Sequence, residues 1–168
     1  MSHNVNRRTV IVSAAATAAA LTAPKIATAS ESVTVEMLNK HPDDSKKRYV
    51  FYPRVISVQP GDTVVFKSVD RGHNSASIDG MLPEGAEEWN GKINDDIEVS
   101  FDQPGFYGYM CTPHATVGMV GLVVVEGDGK LDNLEAAQGV RQRGKSKKEW
   151  EEIWAEAEEL GLLNATTA

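Results

Sequence analysis

Between residues 32 and 126 the chain is cut into short runs with strand patterning, most of them bounded by proline, glycine or aspartate. Ser32-Val-Thr-Val-Glu-Met-Leu38 alternates apolar and polar side chains. Tyr49 to Val58 is rich in β-branched and aromatic residues and is interrupted at Pro53. Pro60-Gly-Asp62 turns into Thr63-Val-Val-Phe66, and Ile97-Glu-Val-Ser-Phe101 alternates again. Gln103-Pro-Gly105 turns into Phe106-Tyr-Gly-Tyr-Met110, and Met119 to Val125 closes the series. Alternation of period two puts one face of each run on a core and the other toward solvent. Short runs of this kind, without the helical crossovers of a parallel sheet, predict an all-β sandwich.

Beyond residue 128 the patterning becomes helical. Asn133 to Gln138 reads as a short helix ended by Gly139, and Arg141 to Lys148 as a basic hinge. Lys147 to Leu160 then places Trp150, Ile153, Trp154, Ala157 and Leu160 at helical spacing, with acids on the opposite face and Gly161 as a stop. The stripe is read as a packing face. Residues 30–128 are therefore expected to form the sandwich, and residues 129–168 a helical extension of the same domain.

The first 29 residues read as a secretory signal. Asn6-Arg-Arg-Thr9 is positive and free of acids, Val10 to Leu21 is apolar but too short to span a bilayer, and Ala27-Thr-Ala29 suits a signal peptidase. An uncleaved anchor is the alternative. The paired arginines resemble a twin-arginine signal, although Val10-Ile11 stands where a bulkier pair is usual; general secretion stays open. Cleavage after Ala29 takes away Arg7, Arg8 and Lys25 and no acid, so the net charge of −7 becomes −10. Such a charge gives no general attraction for nucleic acid or an anionic membrane. The expected location is the periplasm.

An exported chain normally pairs its cysteines, yet this one has a single cysteine. Intermolecular pairing, a reactive thiol and a metal site are the three explanations for a lone cysteine. Cys111, His114 and Met119 follow one another as C-x2-H-x4-M in one loop between two strands. Thiolate, imidazole and thioether together form a soft donor set that suits copper; zinc, the rival, avoids thioether. His73, in Arg71-Gly-His-Asn74, follows the strand that ends near Val69 and supplies a second imidazole. His73, Cys111, His114 and Met119 are the expected ligands of one type 1 copper. His3 falls in the signal, and His41 is expected to face solvent.

Several stretches resemble one family. Glu36-Met-Leu-Asn-Lys40, Pro60-Gly-Asp-Thr63, Gly72-His-Asn74, Gly80-Met-Leu-Pro83, Gly85-Ala-Glu87, Lys92-Ile-Asn94 and Cys111-Thr-Pro-His114 are similar to pseudoazurins, as is the helical tail. The resemblance implies a Greek-key cupredoxin sandwich with two C-terminal helices packed on it. It implies a monomeric one-electron carrier, not an enzyme. The implied acceptor is a denitrification enzyme such as copper nitrite reductase or another periplasmic reductase, with a cytochrome c or similar protein as donor. Asn74 and Thr112 are expected to tie the ligand loops together, with the Asn74 N–H near the thiolate. Pro113 is expected to withhold a donor from the thiolate. A docking face is expected from Met81, Pro113, Ala115 and Val117 around His114, rimmed by Lys40, Arg71 and Lys92. Where the family carries an aromatic after the second histidine and a methionine ahead of Gly118, this chain has Ala115 and Val117. The expectation is therefore that no aromatic ring lies near that imidazole. A copper chaperone or storage protein is the competing function; it would call for a Met- or His-rich tract, which the chain lacks.

Overall fold

The computed structural model describes residues 32–165, so the expected signal over residues 1–29 lies outside the described residues. Eight strands and two helices follow in order: β1 (Ser32–Lys40), β2 (Arg48–Tyr52), β3 (Val55–Val58), β4 (Asp62–Lys67), β5 (Ala76–Ser77), β6 (Ile97–Phe101), β7 (Gly105–Met110), β8 (Val120–Val125), α1 (Leu134–Gly139) and α2 (Ser146–Glu159). They form two four-stranded sheets, ordered β2-β1-β4-β6 and β3-β8-β7-β5. The chain passes between the sheets at Pro53-Arg54 and again after β3, β4, β5 and β6. These crossings, of the Greek-key kind, let β1 pair with β4 and β3 with β8 in parallel without crossover helices.

The pattern of β8 shows why the molecule has three layers. Val120-Gly-Leu-Val-Val-Val125 has no polar alternation, and every one of its residues is buried. A strand covered on both faces reads as a continuous apolar run. Val123 and Val125 face the first sheet, with Phe51, Phe66, Tyr107 and Tyr109 in the same core. Val120, Leu122 and Val124 face the other way and pack with Phe106, Trp150, Ile153 and Ala157. The helices thus cover the outer side of the second sheet.

Arg54 pins α2 to the sheet corner. Its Nε donates to Glu156 at 2.7 Å and its Nη1 to Glu149 at 2.9 Å, with Glu152 at 3.6 Å. Three acids from the face opposite the apolar stripe are gathered on one guanidinium. The expected packing stripe is also shorter by a residue. Leu160 is 58% exposed, whereas Trp150, Ile153 and Ala157 are buried and Trp154 half-buried. The cause is the helix end: Gly161 takes φ +74°, and the Leu162 N–H bonds the Ala157 carbonyl at 2.9 Å. This left-handed cap turns Leu162 back onto the packing face in place of Leu160.

Candidate metal centre

Three segments meet at one end of the sandwich. His73 lies in the loop after β4, Cys111 directly follows β7, and His114 precedes a 3-10 turn over Ala115–Val117. The Cys111 Sγ is 3.7 Å from the His73 Nδ1 and 3.5 Å from the His114 Nδ1. One donor atom from each residue lies within 4.8 Å of the others. His73 and Cys111 are fully buried, and His114 is half-buried.

The chain between Cys111 and Met119 is folded onto itself. The His114 N–H bonds the Cys111 carbonyl, the Met119 N–H the His114 carbonyl, and the Cys111 N–H the Met119 carbonyl, at 3.0, 3.1 and 3.0 Å. Gly118 makes the closure with φ +107°, a conformation costly for any other residue. The Met119 side chain is thereby buried in the same apolar cluster as Cys111.

Two hydrogen-bond systems orient the donors. The His73 Nε2 lies 3.1 Å from the Asn39 Oδ1. An amide oxygen only accepts, so the proton sits on Nε2 and the Nδ1 lone pair is left toward the sulfur. Asn39 is itself fixed by its backbone N–H, which donates to Asp70 at 2.7 Å. Burial pushes the His73 pKa below its ordinary value, helped by His114 and opposed by Asp70, so the neutral ligand form is favoured. In the second system Asn74 accepts from the Thr112 N–H at 2.8 Å and donates to the Thr112 hydroxyl at 3.0 Å. Its amide also donates to the Gly91 carbonyl at 2.9 Å. Burial pushes the Cys111 thiol up, while the backbone N–H groups of Asn74 and His114 favour the thiolate. Pro113, next to His114, has no N–H to offer.

Two further residues support the imidazoles. Asn39, within Glu36-Met-Leu-Asn-Lys40, holds His73. Tyr49 corrects an expectation: an aromatic ring does lie on the second imidazole. The Tyr49 and His114 rings are 4.3 Å apart at an interplanar angle of 3°. Tyr49 takes φ +55°, where a bulky side chain is an outlier costing about 1–3 kcal/mol.

The other expected residues divide. Lys40, Arg71, Lys92, Pro113 and Val117 are exposed and Ala115 half-buried. Met81 is not on this surface: it is fully buried beneath the helices, where Gly108 has no Cβ because one would fall 2.7 Å from the Met81 sulfur. His41 stays out of the centre but is not simply solvated. Its Nδ1 accepts from the N–H groups of Asp43 and Asp44, both at 3.1 Å. The basic hinge, in turn, abuts the ligand loop: the Lys145 N–H bonds the Thr116 carbonyl at 2.9 Å and Ser146 bonds the Ala115 carbonyl.

The donor set fits a metal ion. Bonds of about 2.0 Å to nitrogen and about 2.3 Å to sulfur at trigonal angles hold the two donors about 3.7 Å apart, the separation seen here. Residues 35–126 match the copper binding proteins of the plastocyanin/azurin family. The chain is 41% identical over 143 residues to the pseudoazurin of Methylorubrum extorquens, covering 85% of this chain and 93% of that one. It is 40% identical over 137 residues to the pseudoazurin of Paracoccus pantotrophus, covering 82% and 89%. The structure of a Sinorhizobium meliloti pseudoazurin superposes with a TM-score of 0.70 at 50% identity, covering 76% of this chain and 96% of that one. The chain belongs to the pseudoazurins. It is a cupredoxin electron carrier with a copper site, not an enzyme. Copper would supply a one-electron couple when bound; the protein supplies a buried cysteine sulfur with two imidazoles already gathered around it.

Proposed function

We propose that this pseudoazurin is a periplasmic carrier with type 1 ligation by His73, Cys111, His114 and Met119, delivering electrons to a denitrification enzyme such as a copper nitrite reductase. The observation that carries the reading is the convergence of the Cys111 sulfur and two imidazole nitrogens beside a buried cluster that also contains Met119. Asn74 and Thr112 brace the loops, which keeps the donor positions fixed as the charge changes. Cys111 lies in the interior, and His114 reaches the surface, so the His114 edge is the short route out.

No helix among the described residues is long and apolar enough to cross a membrane. Export rests on the arginine-led leader and the lone cysteine; the acceptor rests on kinship with pseudoazurins. The docking face comprises Pro113, Ala115 and Val117 around His114, with Lys40, Arg71 and Lys92 at the rim and the hinge cation Lys145 beside them. Met81 is removed from it. A small contact with an apolar centre and charged rim suits a partner that must bind and leave quickly.

Replacing Met119 by leucine is expected to keep the blue colour and raise the reduction potential, because loss of a weak axial donor disfavours Cu(II) more than Cu(I). Protein-film voltammetry reads this; an unchanged potential removes Met119 from the ligand set. Stopped-flow reduction of a copper nitrite reductase is expected to slow as salt rises, since the rim cations are screened over about 10 Å at 0.1 M. A rate that climbs with salt would mean like charges face each other, and the partner would have to be dropped.

A further inference from the structure

We propose that Tyr49 is the positioning residue for His114, and that Tyr49 and Asn39 form one cross-strand brace that fixes both imidazoles. The inference rests on the reading of His114 as a copper ligand and extends it.

The β1–β2 pairs Glu36↔Tyr52, Met37↔Phe51, Leu38↔Val50 and Lys40↔Arg48 share one register, which sets Asn39 opposite Tyr49. Tyr49 departs from strand dihedrals with φ +55°, and each of the two residues is turned onto a different histidine. Asn39 takes the His73 ring through a hydrogen bond to Nε2. Tyr49 takes the His114 ring by its face, nearly parallel at 4.3 Å, and stands 6.1 Å from His73 at a tilt of 59°.

The two histidines need different supports. His73 is fully buried and hydrogen-bonded from behind. His114 is half-buried, and among the described residues nothing is hydrogen-bonded to its outer nitrogen. Its backbone is held by the turn, but the plane of its ring is set by the Tyr49 stack. The left-handed backbone of Tyr49 is the observed outlier that directs the ring there. A cleft of about 510 Å³, bordered by Lys46, Arg48, Tyr49, Val117 and Lys145, lies beside this ring. Removing the ring joins that cleft to the open side of His114 and admits water and small ligands. Ala115 therefore does not leave the imidazole unsupported; the ring comes from β2 instead of from the ligand loop.

The test compares Tyr49→Phe, which keeps the ring, with Tyr49→Leu and Tyr49→Met, which keep bulk without a π face. Copper is loaded as Cu(I) on the full chain, and its capture by bathocuproine disulfonate is timed well below each protein's melting midpoint. Loss of an outer support is expected to speed capture at least about tenfold in the Leu and Met variants and by under about twofold in the Phe variant. The Cu(II) visible bands and EPR hyperfine splitting should change in the same two variants only. In the metal-free protein, NMR should show His114 ring protons shifted by the Tyr49 ring current in the wild type and Phe variant, and unshifted and more mobile in the others. Capture rates and His114 signals alike across all four proteins overturn the proposal. A Phe variant as labile as the Leu variant also overturns it, by moving the effect to the hydroxyl. If copper failed to colour the wild type, the ligand reading would fall, while the metal-free NMR would still decide the stack.

Discussion

Cys111→Ala is expected to be colourless and folded. On the proposed ligation Cys111 would be the one soft anion in the donor set, and its bond to copper would provide both the visible absorption and the electronic path. Loss of a ligand should cost copper affinity more than the about 10–100-fold of an outer-shell change. Stability should fall by only about 1 kcal/mol, because the deleted sulfur is a small part of a large apolar cluster. The backbone bonds that close the loop, from Cys111 to Met119 and from His114 to Cys111, do not use the side chain. Visible absorption after copper addition and a thermal melt by circular dichroism read the two halves. A variant that stays blue would remove Cys111 from the centre, and one that is unfolded would make the cysteine a packing residue first.

Truncation after Val140 is expected to cost on the order of 5 kcal/mol, from about 1.5–3 kcal/mol for each large apolar side chain fully buried. Trp150 and Ile153 are lost outright, and the outer faces of Val120, Leu122 and Val124 lose their cover. The loss is comparable with the whole stability of a typical domain, about 5–15 kcal/mol. The shortened chain should therefore unfold at much lower urea or fail to accumulate. Ile153→Ala is the milder test, expected to cost about 2–4 kcal/mol while keeping the colour, since Ile153 belongs to the cluster beneath the helices and Cys111 to the one between the sheets. A truncated protein with an unaltered urea curve would mean that α2 is a detached arm, against its packing on β8 and its ion pairs to Arg54.

What could be read from the sequence followed from period and from donor type. Alternation in β1 and β6 marks single-sided strands, and the unbroken apolar run of β8 marks one covered twice. Cysteine, histidine and methionine at close spacing mark their own loop. Leu160 misled because the helical period was carried one position too far: only the left-handed cap at Gly161 decides which leucine returns to the core. Met81 misled because its place on the docking face was an expectation that came with the resemblance, whereas Gly108 opens a buried slot for it. Tyr49 was illegible for a stronger reason. Its partner His114 lies in a distant segment, and a positive φ is not written in residue type. The hinge cations showed their charge but not their place, which depends on hydrogen bonds to Ala115 and Thr116.

The account stands on one buried donor set taking one copper ion. Titration of the full chain with Cu(II), followed by visible absorption and EPR on the same samples, addresses this directly. It should saturate at a single equivalent, turn intensely blue through a thiolate charge-transfer band, and give the narrow hyperfine splitting of a type 1 site. A colourless or tetragonal Cu(II) complex, or uptake of several equivalents without the thiolate band, would contradict it.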